Sequence, residues 1–281
     1  MGIDPIELRR RNEPEKDPEK NIPYSSRSLI PCLERGAEAF GWSSRKPAGT
    51  DRRGDWLHGM GVASAARSNM LMKSAAKVSI DGQGKAHVET DMTDIGTGTY
   101  TILGQITAEI LGLPIEDVTV HLGDTDAPPG AGSGGSWGAG SSGTSVYLAC
   151  EALRAKIAKA MGVAEDAMTL KDGRVIADNR SVPLAELVGD GIEATGEVSP
   201  GRQEKTFNQA SYGAHFCEVA VHAVTGEVRV KRMLGVFTAG RILNAKTARS
   251  QCLGGMTFGI GCALSEELVH DPRNGKIVNR D

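Results

Sequence analysis

The sequence predicts an α+β fold, a layered sandwich of hairpin-paired strands and helices. Two observations carry this prediction. Short strand-like runs are joined by tight turns, and the order hairpin, glycine-rich turn and helix occurs around residues 75–112 and again around 214–264. The repeated order predicts an internal duplication. Because neighbouring strands pair directly, the pattern disfavours a doubly wound parallel sheet.

The N-terminal part predicts two helices and two polar connectors. Asp4 is a helix cap followed by Pro5 in the first turn, and this helix should end near Asn12. A second helix is predicted from the apolar stripe of residues 28–40. The charged, proline-bearing run between them, at residues 13–24, predicts a surface loop. The polar run after the second helix, at residues 45–55, predicts another.

From residue 59 onwards, strands and helices alternate. Apolar runs and tight turns predict a buried strand and two hairpins, whereas helical periodicity predicts three longer helices. A small polar β segment with one short helix at 184–188 is predicted for residues 168–196. The predicted strands are 59–64, 75–80, 85–89, 118–122 and the hairpin 216–230, and the predicted helices are 101–111, 147–161 and 245–264.

Composition narrows the function classes. The 281 residues carry a net charge of −3, which is too balanced to favour a nucleic-acid or membrane-surface partner. No apolar run approaches the roughly 20 residues of a membrane span, and no signal peptide is recognised. The compartment stays open between cytoplasm and periplasm.

The residues that usually hold metals or transfer protons are scattered. No two cysteines have Cys-x-x-Cys spacing, so we expect buried free thiols and no iron–sulfur or zinc site. We expect the six histidines to be surface residues or satisfied core residues, because no Ser-His-Asp order or carboxylate pair accompanies them. They are His58, His87, His121, His215, His222 and His270.

The first candidate binding segment is residues 94–101, Asp-Ile-Gly-Thr-Gly-Thr-Tyr-Thr. It follows a predicted strand and opens a helix, where free amides bind anions. Thr101 replaces the third glycine of a dinucleotide fingerprint, so that motif is excluded. An anion site and an ordinary capped turn both remain open.

The second candidate is the glycine- and serine-rich run at residues 128–144, which contains Trp137. Its composition is that of a flexible linker, but its position between a strand and a helix also suits a phosphate cradle. Both interpretations stay open. The run has no P-loop lysine, which disfavours nucleoside triphosphate hydrolysis.

The third candidate is residues 244–255, Asn-Ala-Lys-Thr-Ala-Arg-Ser-Gln-Cys-Leu-Gly-Gly. Amide, hydroxyl and basic groups meet at a helix start, which suits an anionic ligand. The alternative is a solvated first turn followed by glycine-mediated helix packing. The three segments favour a chain that holds an anionic ligand, with the reactive atom supplied by a cofactor.

Together these segments resemble the molybdopterin-binding large subunit of xanthine dehydrogenases and aldehyde oxidoreductases. The motifs occur in order over nearly the whole chain, and the opening run 2–12 is also similar to an internal family segment. The resemblance is greatest to bacterial multi-subunit aldehyde oxidoreductases that use molybdopterin cytosine dinucleotide. It implies a cofactor whose molybdenum is held by the pterin dithiolene.

The resemblance also implies roles for individual residues. The turn at 96–99 would contact the pterin or its phosphates, although Thr97 stands where the family often has Gln. Residues 133–136 and 140–141 would line the dinucleotide path, the run 244–250 would cradle the nucleotide, and Arg67 would approach the substrate pocket. The implied cofactor residues are Gly96, Thr97, Gly98, Thr99, Ser133, Gly134, Gly135, Ser136, Gly140, Ser141, Asn244, Ala245, Lys246, Thr247, Ala248, Arg249, Ser250, Gln251 and Gly255.

The reaction implied is oxidation of an aldehyde or hydroxylation of an aromatic heterocycle, with an iron–sulfur subunit and an FAD subunit as partners. The family's catalytic base, a Glu in a Gly-Glu motif near the family C-terminus, has no match in a suitable position before Asp281. We therefore expect a piece of a longer protein that is inactive alone. The predicted domains are 1–55, N-terminal helices and connector, 56–165, a first molybdopterin-binding α+β unit, and 166–281, a second unit. The alternatives are a non-catalytic phosphate- or nucleotide-binding module and a subunit-assembly module.

Overall fold

The structure is a computed structural model that describes residues 2–279. In chain order its strands are β1 Asp51–Arg53, β2 Trp56–Ser68, β3 Ser74–Asp81, β4 Ala86–Thr90, β5 Val118–Leu122, β6 Thr169–Lys171, β7 Arg174–Ala177, β8 Arg180–Pro183, β9 Gly191–Val198, β10 Ala210–His222 and β11 Val228–Thr238. The helices are α1 Pro5–Arg11, α2 Leu29–Phe40, α3 Thr99–Leu111, α4 Gly138–Met161, α5 Leu184–Val188, α6 Gln203–Thr206 and α7 Ala245–Leu264.

The described chain forms two compact units, each built from separate stretches. The first unit comprises residues 2–68, 210–240 and 248–279, and the second comprises 69–209 and 241–247. These units are discontinuous because β2 pairs with β10, far along the chain. The division into three continuous domains, with boundaries after residues 55 and 165, stays a prediction about how the cofactor-binding parts are organised.

In the first unit, two helices accompany one antiparallel sheet. Asp4 caps α1 by accepting a hydrogen bond from the Ile6 amide at 2.8 Å, and α2 ends at Gly41 in a left-handed conformation, φ 70°. Both predicted helices are thereby confirmed. The sheet order is β1-β2-β10-β11, and the hairpin of β10 and β11 is also confirmed.

Two expectations for this unit were wrong. The strand predicted as buried lies within β2, none of whose residues is fully buried, because only Met60 and Val62 of the predicted strand pack against the core of the unit, and they do so partly. The predicted polar loop at 45–55 contains β1, which pairs back onto β2 through the turn at Gly54. The core of the unit forms between α1, α2 and β10: Ile6, Leu29, Cys32, Leu33, Phe40, Trp42, Tyr212, Ala214 and Phe216.

The second unit contains the sheet β5-β4-β3-β9 with α3 and α4 packed on one face. The hairpin of β3 and β4 is confirmed, whereas β4 and β5 run parallel and are joined through α3. The buried core lies between this sheet and the two helices, and it includes Val78, Ile80, Val88, Leu103, Val146, Leu153 and Ile157.

A three-stranded antiparallel sheet, β6-β7-β8, and α5 form the predicted small β segment. Its last part was assigned wrongly, because β9 pairs with β3 in the larger sheet. Gly196 permits α4 to pack closely on β9, since a β-carbon there would lie 2.1 Å from the Ser145 carbonyl oxygen on α4.

The α+β fold class is confirmed, and the order hairpin, turn and helix occurs twice, as β3-β4-α3 and as β10-β11-α7. The main difference concerns α4, which begins at Gly138 inside the glycine-rich run, whereas the predicted helix begins at Tyr147. Within residues 2–279, no helix is both long enough and apolar enough to cross a membrane.

Candidate functional site

The turn before α3 is organised by the carboxylate of Asp94. Its Oδ1 accepts hydrogen bonds from the amides of Gly96 at 2.8 Å and Gly98 at 3.2 Å, and its Oδ2 accepts from Tyr100 at 3.2 Å. Burial opposes ionisation of Asp94, but these amides outweigh it and lower its pKa. The amides predicted to receive an anion are therefore engaged by a side chain of this chain.

The two glycines of this turn have different surroundings. Both have a positive φ, 96° at Gly96 and 90° at Gly98. A β-carbon at Gly98 would lie 2.8 Å from Thr247 Cγ2, whereas a β-carbon at Gly96 would meet nothing within 4 Å. Gly98 is thus required for packing, and Gly96 faces open space where a ligand has room.

The glycine-rich run folds around Trp137. The indole Nε1 donates to the Ala131 carbonyl oxygen at 2.9 Å, and the ring covers Gly135, where a β-carbon would lie 2.0 Å from Trp137 Cζ3. Ser136 adopts a left-handed conformation, φ 58°, which a non-glycine residue rarely takes. An internally bonded loop with a ring packed inside it is not a flexible linker.

Helix α4 begins without a side-chain cap, because the N-cap residue is Trp137. The amides of its first turn, residues 138–140, have no partner within the helix, since the amide of Ser141 makes the first helical hydrogen bond to Trp137 O. A β-carbon at Gly140, like one at Gly132, would meet nothing within 4 Å. This helix start therefore combines anion-binding amides with open approach.

Buried hydroxyls anchor the same helix start. Ser141 is fully buried and its Oγ accepts the Met72 amide at 2.9 Å. Ser74 Oγ lies 3.1 Å from Ser142 Oγ and 3.2 Å from Ser145 Oγ, and all three residues are at most 1% exposed. Ser141, predicted to touch the cofactor, thus lies inside the protein and supports the loop.

The loops before α3 and α4 are joined to each other. Asp91 Oδ1 accepts the Gly130 amide at 2.5 Å. Ser133 Oγ donates to Thr93 O at 2.5 Å and lies 2.8 Å from Thr93 Oγ1. The first two predicted segments consequently form one surface, with Ser133 exposed on it.

The third predicted segment is divided between the two units. Asn244 and Thr247 lie beside α3, where Asn244 Nδ2 donates to Gln105 Oε1 at 3.1 Å. Lys246 is exposed on the same turn. The predicted residues of α7 that follow in the first unit are Ala248, Arg249, Ser250, Gln251 and Gly255, and none is buried. Arg67, on β2 in the first unit, donates to Ser68 O at 2.7 Å.

Two expectations about histidine and cysteine side chains need correction. His58 is not satisfied, since its buried Nδ1 lies 3.6 Å from Glu218 Oε1 and has no hydrogen-bond partner. All five cysteines are free, and Cys32 and Cys150 are buried as expected, but Cys262 is exposed. Among residues 2–279, no group of three or more His, Cys, Asp or Glu side chains is placed to hold a metal ion.

These residues fit a phosphate-bearing cofactor at one end of the second unit. The fit rests on the uncapped amides of residues 138–140 beside glycines that open onto free space. The ammonium of Lys246 is a donor type that phosphate esters bind, whereas the single hydrogen of the Ser133 hydroxyl is already donated to Thr93 O. The turn at Asp94 instead offers the exposed hydroxyl of Thr97, because the carboxylate already holds the amides and Thr99, although predicted to contact the cofactor, is buried.

Comparison with known proteins identifies the family. The sequence profile of the family described as "Molybdopterin cofactor-binding domain" matches residues 35–281, and the chain belongs to this family. The family resemblance stated from the motifs is thereby confirmed.

Two of the similar proteins are subunits from Escherichia coli. The chain is 50% identical over 283 residues to the aldehyde oxidoreductase molybdenum-binding subunit PaoC of Escherichia coli strain K12, covering 100% of the chain and 39% of that relative. It is 31% identical over 307 residues to the xanthine dehydrogenase molybdenum-binding subunit of E. coli O157:H7, covering 99% and 40%. The chain thus spans about two fifths of the length of these relatives.

Among solved structures, quinoline 2-oxidoreductase from Pseudomonas putida 86 superposes with a TM-score of 0.85 at 24% identity, covering 99% of the chain and 40% of that protein. The aldehyde oxidoreductase from Desulfovibrio desulfuricans ATCC 27774 gives 0.75 at 24% identity, covering 95% and 29%. At this identity the likeness concerns the fold alone.

Several residues that shape the site were not predicted. Asp94 has a local signal, because an Asp two residues before a glycine often bonds the backbone of its own turn. Asp91, Gln105 and the buried Ser74 give no such signal, since their partners are distant in sequence.

Proposed function

We propose that this chain forms part of the cofactor-binding region of a molybdenum-dependent oxidoreductase and holds molybdopterin as its cytosine dinucleotide. The observation that carries the proposal is the meeting of residues 96–99, 133–141 and 244–247 at the starts of α3, α4 and α7. Contacts between Thr93 and Ser133 and between Gly98 and Thr247 support one continuous site. When bound, the cofactor supplies the metal centre that exchanges electrons with the substrate.

Different residues of the chain would bind different parts of the cofactor. The open amides of residues 138–140, with Lys246, would take the phosphates, because they combine backbone donors with positive charge. Ser133 would border them. The turn at 96–99 would face the uncharged pterin, since Asp94 occupies its amides and repels a phosphate, which leaves the exposed hydroxyl of Thr97 for the ligand. Ser136 and Gly132 would border the path between these two ends.

The finer parts of the proposal rest on relatives that bear the names of aldehyde and quinoline oxidoreductases. The substrate would be an aldehyde or an aromatic heterocycle, with Arg67 near it. The partners would be an iron–sulfur subunit and an FAD subunit. The catalytic base would be a glutamate outside this chain, in a Gly-Glu motif.

Metal and nucleotide analysis tests the proposal directly. The full-length protein should contain molybdenum and release one cytidine monophosphate per chain on acid hydrolysis, and it should oxidise an aldehyde with an artificial electron acceptor. Molybdenum without cytidine monophosphate would refute the cytosine dinucleotide. A bound nucleotide without molybdenum would favour a nucleotide-binding module. Partner subunits recovered with no pterin would favour an assembly module.

A further inference from the structure

The segment at residues 241–247 lies along α3 and contacts it at three levels. Arg241 Nη2 lies 2.6 Å and 2.9 Å from the two carboxylate oxygens of Glu109, near the C-terminal end of α3. Thr247 packs against Gly98 at its N-terminal end. Between them, Asn244 meets Gln105. The segment is therefore held antiparallel to the helix.

These contacts differ in what they can contribute. The Arg241–Glu109 pair is 72% and 60% exposed, so solvent screens it and it adds little. Asn244 and Gln105 are both half-buried. Of the two polar contacts between the segment and α3, theirs is the one nearer to the start of α7. This amide pair is therefore the one of the two that solvent screens less, and it acts beside the packing of Thr247 on Gly98.

The orientation of the Asn244 amide follows from its neighbours. Its Oδ1 accepts the Thr247 amide at 2.9 Å, which is the usual N-cap bond to the third helical residue. Because a backbone N–H can only donate, the oxygen of Asn244 must face Thr247 and the NH2 group must face Gln105. Gln105 must then present an acceptor, its Oε1, to Asn244 Nδ2.

We infer that Gln105 is a positioning residue for the cofactor, acting through Asn244. The inference rests on the proposed function. Gln105 fixes the Asn244 cap, and the cap fixes the first turn of α7, where the amides of Ala245 and Lys246 are left for the nucleotide end of the ligand. The chemistry required at position 105 is a hydrogen-bond acceptor, and a charge is not needed.

The test compares three variants in the full-length protein. Gln105→Leu removes the acceptor, Gln105→Glu keeps one, and Gln83→Leu makes the same change at an exposed turn of the same unit. We expect Gln105→Leu to reduce molybdenum and released cytidine monophosphate about fivefold after extensive dialysis, as loss of one neutral hydrogen bond does. Gln105→Glu and Gln83→Leu should stay within twofold of the wild type.

A second set of variants, built on a substitution at Asn244, distinguishes a positioning role of Gln105 from a general loss of protein stability. Asn244→Ser keeps a cap acceptor for the Thr247 amide, but its hydroxyl is too short to reach Gln105, so adding Gln105→Leu should cause no further cofactor loss. Equal losses in Gln105→Leu and Gln105→Glu, or additive losses in the double variant, would overturn the inference. So would Gln105→Leu with wild-type cofactor content. A wild-type protein without molybdenum and nucleotide would instead refute the proposed function.

Discussion

Gly98 lies directly against Thr247, so closely that a β-carbon at position 98 would be 2.8 Å from the Thr247 γ-methyl group. This relationship changes how the first candidate turn should be probed. A bulky residue at position 98 would displace Thr247 whether or not a cofactor passes nearby. Gly96 offers the cleaner probe of ligand binding, because a β-carbon there meets nothing within 4 Å.

The first prediction compares alanine at these two glycines. Both positions have a positive φ, so the backbone cost is similar, but only Gly98→Ala adds a steric conflict. We expect Gly98→Ala to lower the free energy of unfolding by about 1–3 kcal/mol more than Gly96→Ala does. Denaturant unfolding of the cofactor-free protein measures both.

Thr247→Ser provides the control, because it removes the methyl group that Gly98→Ala would strike. The double variant should regain much of the lost stability. Equal destabilisation by the two alanines would contradict the packing role of Gly98. If the proposed site is correct, Gly96→Ala should in addition reduce cofactor content.

The second prediction concerns Asp94 and pH. Because its pKa is lowered in the folded protein, its contribution to stability is fully present above the unfolded value of about 3.9 and is lost as the pH falls through the folded value. Asp94→Asn keeps one acceptor oxygen but lacks the charge. We expect it to cost about 1–2 kcal/mol at pH 7.

Urea unfolding of both proteins between pH 7 and pH 3 is the measurement. The difference between the wild type and Asp94→Asn should narrow below about pH 4, as the wild-type carboxylate becomes protonated. A difference that stays constant across this range would show that the charge of Asp94 is not what holds the turn.

The third prediction concerns the loop folded around Trp137. Trp137→Phe keeps a ring over Gly135 but loses the hydrogen bond to Ala131 O, whereas Trp137→Ala loses both. In limited proteolysis, residues 131–137 of the cofactor-free protein should be cleaved slowly in the wild type, faster in Trp137→Phe and fastest in Trp137→Ala. Cleavage at one rate in all three proteins would revive the linker interpretation.

The fourth prediction orders the reactivity of two thiols. Burial raises the pKa of Cys150 to about 12, so it should react with a thiol reagent only after unfolding. Cys262 is exposed, and the hydrogen bond to Glu266, 3.4 Å away, raises its pKa. Native Cys262 should therefore react slowly at pH 7, and Glu266→Gln should accelerate it a few-fold.

Cys262→Ser identifies the reacting thiol in that experiment, since the accelerated phase should vanish with it. No acceleration in Glu266→Gln, measured by the rate of absorbance change with an aromatic disulfide, would refute the proposed effect of the carboxylate.

Local sequence signals predicted much of the fold. The Asp4 cap gave the start of α1, the periodic stripe gave α2, and Asp81 to Gly84 gave the turn of the β3–β4 hairpin. These features depend on neighbours within a few residues, so a sequence carries them directly.

Contacts between distant residues explain what was missed. The first turns of α4 have the glycine-rich composition of a loop, yet Gly138 packs against Met92, and Ser142 bonds Ser74. β9 likewise joins the sheet of β3 through pairing that no local pattern reports. In the candidate site, glycines and hydroxyls at helix starts pointed to the three candidate segments, but not to which glycines face open space.

The contacts of residues 241–247 with α3 also bear on biosynthesis. They join residues that are far apart in the sequence. Glu109 and Arg241 are separated by 132 positions, and Gln105 and Asn244 by 139. Contacts of such long sequence separation form late, because the intervening chain must first be ordered. During translation, α3 leaves the ribosome long before its partner segment exists. The part of the proposed site that residues 244–247 form is therefore completed only after residue 247 has emerged, so a cofactor held there would be inserted after this region has been synthesised.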